Sequence, residues 1–394
     1  MTVAPGPWLR LTALGAAGAT LLAVVSGAAH LGTAHRLLAA LAAPPLAALL
    51  VAGWTTHRRL LVPTLAATVS FAAAAATMPR DFHVAFAALA FACCVVAAAA
   101  TLRGAPAPRG SLADYVTLTK PRIMSLLLLT GFCGMVVGAR GWPGTGLAVA
   151  AMVGLALACG GASALNHVLD ADIDKLMGKR TERRPVAAGR VPASRALEFG
   201  LALSALSFVL LASAVNVLTA MLALVGNLFY VLVYTRWLKR STPQNIVIGG
   251  AAGAVPPLVG WAAATGNLTW PALLLFAIVF VWTPPHFWAL ALLIKENYAA
   301  AKIPMLPVVR GERETTRQIA WYSLVLVAVT LTPVLWGGLG TGYLAAALAL
   351  GAVFCGLALR LLVETTPRRA AVLFHYSLLY LALLFVAMAL DLAL

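Results

Sequence analysis

The stretch TGLAVAAMVGLALACGGASALNHVLDADID, Thr145 to Asp174, decides how the chain is read. From Thr145 to Leu165 it carries no charge and matches the run of about 20 apolar residues that a helix needs to cross a bilayer. It then changes character at once, giving Asn166, Asp170, Asp172 and Asp174. If the helix continues, Asn166, Asp170 and Asp174 fall at i, i+4 and i+8 on one face, and Asp172 points elsewhere. Like charges at that spacing destabilise a bare helix, so this face requires a counter-cation.

Outward from this stretch the apolar pattern repeats. The 394 residues are 62% hydrophobic and 10% charged, with mean hydropathy +0.93, whereas a soluble domain is about 25% charged. The alternation of an outer-membrane barrel is missing, which leaves an all-α polytopic membrane protein. Four spans are predicted near 11–29, 37–54, 60–77 and 82–101. Nine more follow near 123–139, 145–165, 196–215, 217–235, 245–264, 270–292, 319–338, 342–363 and 371–391. The polar run containing Gly104, Pro106, Pro108 and Gly110 divides an N-terminal extension, 1–105, from a nine-helix domain, 119–394, through a linker at 106–118.

A net charge of +16 would suit a nucleic-acid binder. The positions of the charges exclude that reading, because Lys and Arg sit in short loops between apolar segments, where they set topology. In the nine-helix domain one set of alternate loops holds Lys120 and Arg122, Lys175 to Arg195, Arg236 to Arg240, Lys295 to Arg317, and Arg360 to Arg369. The opposite set holds Arg140 alone. The bias assigns the first set to the cytoplasmic side of the cell membrane, together with the N-terminus and the acidic loop. The C-terminus and Asp391 are expected outside, and the lipid bilayer is the partner of the apolar surface. The five cysteines, Cys93, Cys94, Cys133, Cys159 and Cys355, lie within apolar segments and form no spaced metal pair.

The chemistry is expected where the acids gather. Carboxylate and amide oxygens of Asn166, Asp170 and Asp174 suit Mg²⁺, a hard ion completed by waters and substrate phosphates. The basic run Lys175 to Pro185 follows directly, with Lys179, Arg180, Arg183 and Arg184. Fixed cations beside Mg²⁺ can neutralise a diphosphate, Arg in bidentate fashion; read plainly, the same residues only set topology. Tyr234 to Asn245 contributes Lys239 and Arg240 from the same membrane side, and Gly249, Gly250 and Gly253 permit close helix approach. A further constellation runs Trp282-Thr283-Pro284-Pro285-His286-Phe287-Trp288, then Glu296, Asn297 and Tyr298. The two prolines are predicted to break their helix and free backbone carbonyls. His286 then lies near membrane depth, either as a packing residue or facing a substrate.

The run Asn-x-x-x-Asp-x-x-x-Asp from Asn166, followed by Arg180-Thr181-x-x-Arg184-Pro185, resembles the UbiA-type intramembrane prenyltransferases. That resemblance implies nine transmembrane helices and an isoprenyl diphosphate bound through Mg²⁺. Leu118-Thr119-Lys120-Pro121-Arg122, the Tyr234 to Asn245 run, Pro284 to Leu290, and Ile303-Pro304-Met305-Leu306-Pro307-Val308-Val309 are similar to its protohaem IX farnesyltransferase (haem O synthase) branch. The resemblance spans roughly 114–394. It implies farnesyl diphosphate and protohaem IX as substrates, with water added to give a hydroxyethylfarnesyl group. Asn166, Asp170 and Asp174 would hold Mg²⁺, and Lys120, Arg180, Arg184, Lys239 and Arg240 would act on the diphosphate. Trp282, His286, Phe287, Trp288, Tyr234, Glu296 and Tyr298 would line the haem and prenyl sites. The superfamily's second loop is rich in aspartates, whereas here it offers Glu296 with His286 and Asn297 nearby. In the extension, Ala34 to Leu41 with His35 is similar to a helix of haem A synthase, a candidate partner; His30, His57 and His83 sit near loops. A prenyltransferase acting on a quinone precursor and a non-catalytic haem-binding assembly factor are the alternatives.

Overall fold

The computed structural model describes residues 7–28, 32–55, 60–76, 80–101, 110–335 and 338–393. Four helices precede the linker: α1 (Pro7–Ala28), α2 (Gly32–Thr55), α3 (Leu61–Ala76) and α4 (Arg80–Ala100). The short α5 (Leu112–Leu118) forms within the expected linker, capped by Ser111 and Asp114 in a reciprocal box. Then come α6 (Pro121–Ala139), α7 (Thr145–Leu169), α8 (Ala171–Leu176), α9 (Lys179–Glu182), α10 (Ala193–Ala214) and α11 (Val217–Leu228). The last runs on as a π-helical stretch, Phe229–Leu238, into α12 (Lys239–Ser241). The chain finishes with α13 (Asn245–Thr265), α14 (Trp270–Leu293), α15 (Lys295–Ala300), α16 (Leu306–Val309), α17 (Gly311–Leu335), α18 (Thr341–Val363) and α19 (Pro367–Ala393).

Among the described residues ten helices are long and apolar enough to cross a membrane, nine of them after the linker. This is a multi-pass bundle, and each of the nine overlaps a predicted span; of the four spans expected in the extension, only α1 reaches that length among the described residues, the apolar stretches of α2, α3 and α4 being shorter. Close approach is bought by glycine, since lipid gives helices little hydrophobic reason to associate. At Gly134 an added Cβ would lie 2.6 Å from the Pro257 carbonyl oxygen, so only glycine lets α6 meet α13. At Gly249 it would lie 2.3 Å from the Tyr234 ring, so the glycine admits that ring beside α13. The extension docks on α10, where Val24, Ala88 and Phe91 join Leu155, Phe208 and Leu211 in one apolar cluster. Phe91 meets Phe208 edge to face, with centroids 5.2 Å apart.

One local expectation fails. Pro284 and Pro285 do not break their helix; α14 is continuous from Trp270 to Leu293. Each proline removes one intrahelical donor, which deprives the Phe280 and Val281 carbonyls of their amide partners, while the Thr283 hydroxyl donates to the Val279 carbonyl at 2.8 Å. Packing against neighbouring helices lets a membrane helix tolerate such a pair.

Candidate functional site

The acidic face forms as its spacing predicts, through a small irregularity. α7 ends at Leu169 and α8 begins at Ala171, but the hydrogen-bond ladder carries across the step. The Asp170 amide donates to Asn166 O at 2.9 Å, and that of Asp174 to Asp170 O at 2.8 Å. Asn166, Asp170 and Asp174 are therefore brought together, each at most 3% exposed. Asp172 turns outward to Arg240, which grips both its oxygens at 2.7 Å and also donates to Leu169 O at 2.6 Å. That grip holds the Asp172 carboxyl down at about 2.

Three cations reach the acidic face from three elements. Lys239, the first residue of α12 after the π-helical stretch, donates to Asp170 Oδ2 at 2.5 Å. Arg184, in the loop after α9, donates to Asp174 Oδ1 at 2.6 Å. Lys120 donates to Asn166 Oδ1 at 2.7 Å. It sits between α5 and Pro121 in the left-handed region (φ 50°), a conformation that costs a non-glycine residue about 1–2 kcal/mol. Strain of that kind clusters at functional sites. Burial, with Arg184 nearby, pulls the Lys120 ammonium down to about 7. Burial also raises the Asp174 carboxyl, outweighing its Arg184 partner.

These pairings use only half of each carboxylate. Asp170 Oδ1 and Asp174 Oδ2 are buried without a hydrogen-bond partner. A buried anionic oxygen left unpaired is costly unless something binds it. Two free carboxylate oxygens beside an amide suit a hard divalent cation that takes its other ligands from water and phosphate. Asn166 Oδ1 is less available than expected, because Lys120 occupies it. Among the described residues no three His, Cys, Asp or Glu side chains form a metal-holding group, so a metal here would need ligands beyond these side chains.

Sequence reading missed Thr235. Its hydroxyl accepts from Asn166 Nδ2 at 3.1 Å, while the same amide donates to Asp170 Oδ2 at 2.8 Å. The wide π turn that aims Thr235 and Lys239 together is a feature often found at functional sites, and nothing in residues 229–238 signals it. Tyr234 stacks on Tyr230, with centroids 5.5 Å apart. Asn297 reaches back to donate to the Met177 carbonyl and so ties the second loop to the first. Tyr298 is buried, which pushes its phenol up to about 12. Glu296 is exposed and is not drawn into the acidic cluster. The Arg180 side chain lies outside the described residues.

The His286 cluster is built differently. Its ring stacks between Trp282 (4.4 Å) and Phe374 (4.9 Å), and Phe287 meets its edge. Nδ1 lies 2.7 Å from the Ser377 hydroxyl, which donates to Phe374 O at 2.6 Å, and Trp282 Nε1 donates to Ser377 O at 2.8 Å. Both ring faces are taken, which leaves only an edge for any further partner. Trp288 is buried against Tyr322. In the extension, His35 Nδ1 lies 3.0 Å from the Ala23 carbonyl; His30, His57 and the His83 side chain lie outside the described residues.

The profile of the UbiA prenyltransferase family matches residues 127–387. Over 280 residues the chain is 55% identical to the "Protoheme IX farnesyltransferase" of Symbiobacterium thermophilum, covering 71% of this chain and 93% of that one. Proteins of the same name from Roseiflexus sp. and Thermus thermophilus are each 53% identical over 71% of this chain. The match spans 52% and 46% of their lengths, so this chain aligns with about half of each. A structure described for digeranylgeranylglyceryl phosphate synthase shares the fold at TM-score 0.60 and 17% identity, over 71% of this chain and 98% of that one. A UbiA homolog from Archaeoglobus fulgidus, solved with DMAPP and Mg²⁺, does so at TM-score 0.51 and 17% identity, over 70% and 99%.

Proposed function

Because the chain belongs to the UbiA prenyltransferase family, we propose that it transfers a farnesyl group from farnesyl diphosphate to a vinyl group of protohaem IX. The acceptor is suggested by relatives named for that reaction at 50–55% identity. The observation that carries the reading is the pair of buried, unpartnered oxygens, Asp170 Oδ1 and Asp174 Oδ2, set beside Lys239, Arg184 and Lys120.

Cleavage of the carbon–oxygen bond leaves its electron pair on diphosphate, so negative charge grows on the leaving group. Fixed cations aimed at that charge act most strongly in a buried, low-dielectric site. Mg²⁺, held by the free oxygens of Asp170 and Asp174, would supply Lewis-acid neutralisation of the same charge. Lys120, Lys239 and Arg184 are already ordered by Asn166, Asp170 and Asp174, so little side-chain reorganisation accompanies binding. The farnesyl chain would lie among apolar helices near the Tyr230–Tyr234 stack, whose faces favour a developing carbocation. The His286, Trp282 and Phe287 group supports a role in holding the porphyrin edge. Basic loops clustered on one side support cytoplasmic catalytic loops in a cell membrane, with the C-terminus outside.

The test is product analysis by mass spectrometry after incubating the membrane protein with farnesyl diphosphate, Mg²⁺ and protohaem. A haem product gaining one farnesyl group and one hydroxyl is expected. Prenylation of a quinone precursor with protohaem left untouched would overturn the reading.

A further inference from the structure

His167 follows Asn166 on α7 and is 2% exposed, yet neither ring nitrogen has a hydrogen-bond partner. An imidazole carries at least one N–H to donate, and buried polar groups left unpaired are uncommon enough to need a reason. His286 shows the ordinary arrangement, with its nitrogen satisfied by Ser377.

The surroundings of His167 indicate what would fill its valence. Ser163, one turn earlier on the same face, donates to the Leu118 carbonyl at 2.6 Å. This side of α7 therefore faces the corner between α5 and α6, where Lys120 stands two residues beyond Leu118. The cations of that corner are Lys120 and, across the acidic face, Arg184. They are also the cations that hold Asn166 and Asp174. A buried, unpartnered donor next in the chain to Asn166, on the side of α7 that meets the Lys120 corner, borders ground prepared for an anion.

We propose that His167 is a binding residue for the leaving diphosphate, its ring N–H donating to a non-bridging phosphate oxygen when substrate is present. The proposal rests on the prenyl diphosphate reading of this site and adds a residue to it. It assigns His167 no proton transfer.

The full-length protein is compared with His167→Phe and His167→Gln by calorimetric titration with farnesyl diphosphate and with inorganic diphosphate, both with Mg²⁺. Protohaem titration and thermal unfolding without ligand run alongside. In His167→Phe the Kd for both diphosphates should rise about tenfold or more, as for losing a hydrogen bond to a charged group. Protohaem affinity should hold, and the ligand-free melting temperature should hold or rise, because an unsatisfied buried group has been removed. His167→Gln keeps an N–H and should recover most of the affinity. Should His167→Phe not fold, His167→Leu makes the same comparison. Wild-type diphosphate affinity in a folded His167→Phe or His167→Leu protein overturns the proposal and leaves the site reading standing. A wild-type protein that binds neither diphosphate overturns both.

Discussion

Two polar clusters are buried in this bundle, one at the end of α7 and one where α14 meets α19. In the second, the Trp282 indole, the His286 Nδ1 and the Ser377 hydroxyl all find partners, and the stacked rings close around them. In the first, Asp170, Asp174 and His167 keep buried atoms with nothing to bind. The difference separates packing from binding. A satisfied network specifies how helices meet, whereas an unsatisfied one lowers stability until a ligand completes it. The sequence reading assigned Asp170 to a metal and left His286 as either a packing residue or a substrate residue; in the fold Asp170 keeps an unpaired oxygen while His286 Nδ1 has a partner.

The largest effect should come from the unsatisfied acids. Asp170→Ala and Asp174→Ala should each lower turnover by about 10²–10³-fold or more, with protein still inserted in membranes, because each removes charge stabilisation where the leaving group forms. Asp172→Ala breaks only an exposed pair with Arg240, the kind worth about 0–1 kcal/mol, and should change turnover less than about fivefold. Rates measured across the three variants decide this. An Asp172 defect equal to that of Asp170 breaks the one-face argument.

Titrating each substrate separately sharpens the comparison next. Arg184→Ala should weaken farnesyl diphosphate binding by about tenfold and leave protohaem binding alone. His286→Ala removes a ring stacked on both faces, so thermal unfolding should show a loss of about 2–4 kcal/mol, by analogy with other large-to-small core changes. Diphosphate affinity should be unchanged and protohaem affinity reduced. If His286→Ala instead abolishes Mg²⁺-dependent diphosphate binding, the two clusters are one site.

A smaller effect is expected with pH. Lys120 is held at about 7 in the fold against about 10.4 unfolded. Between those values the unfolded chain binds the extra proton, so the ligand-free protein should gain stability as pH rises from about 7 to 10. Lys120→Met should flatten that slope in thermal unfolding measured at each pH. Bound diphosphate should flatten it too, by favouring the charged ammonium.

The smallest effect on chemistry should follow removal of residues 1–105. Phe208 and Leu155 lose their cover of Phe91 and Ala88, so melting should come earlier, while farnesyl transfer stays measurable. Complete loss of activity in a well-folded truncation would place the extension in the active site.

The nine apolar helices after the linker and the face shared by Asn166, Asp170 and Asp174 follow from the sequence alone. Both depend on local rules: a bilayer demands about 20 apolar residues per span, and an α-helix returns the same face every three to four residues. What pairs with that face does not follow from local rules. Lys239 reaches Asp170 from 69 residues away along the chain, and Lys120 reaches Asn166 from 46. Thr235 joins them only because the chain widens into a π-helix, a register no residue pattern in 229–238 announces. The continuity of α14 through Pro284 and Pro285 was likewise settled by tertiary packing, which overrode a correct local preference for a break. Chain-local spacing decides which groups a helix can present together; which of them end up satisfied depends on partners that only the folded bundle brings within hydrogen-bond reach.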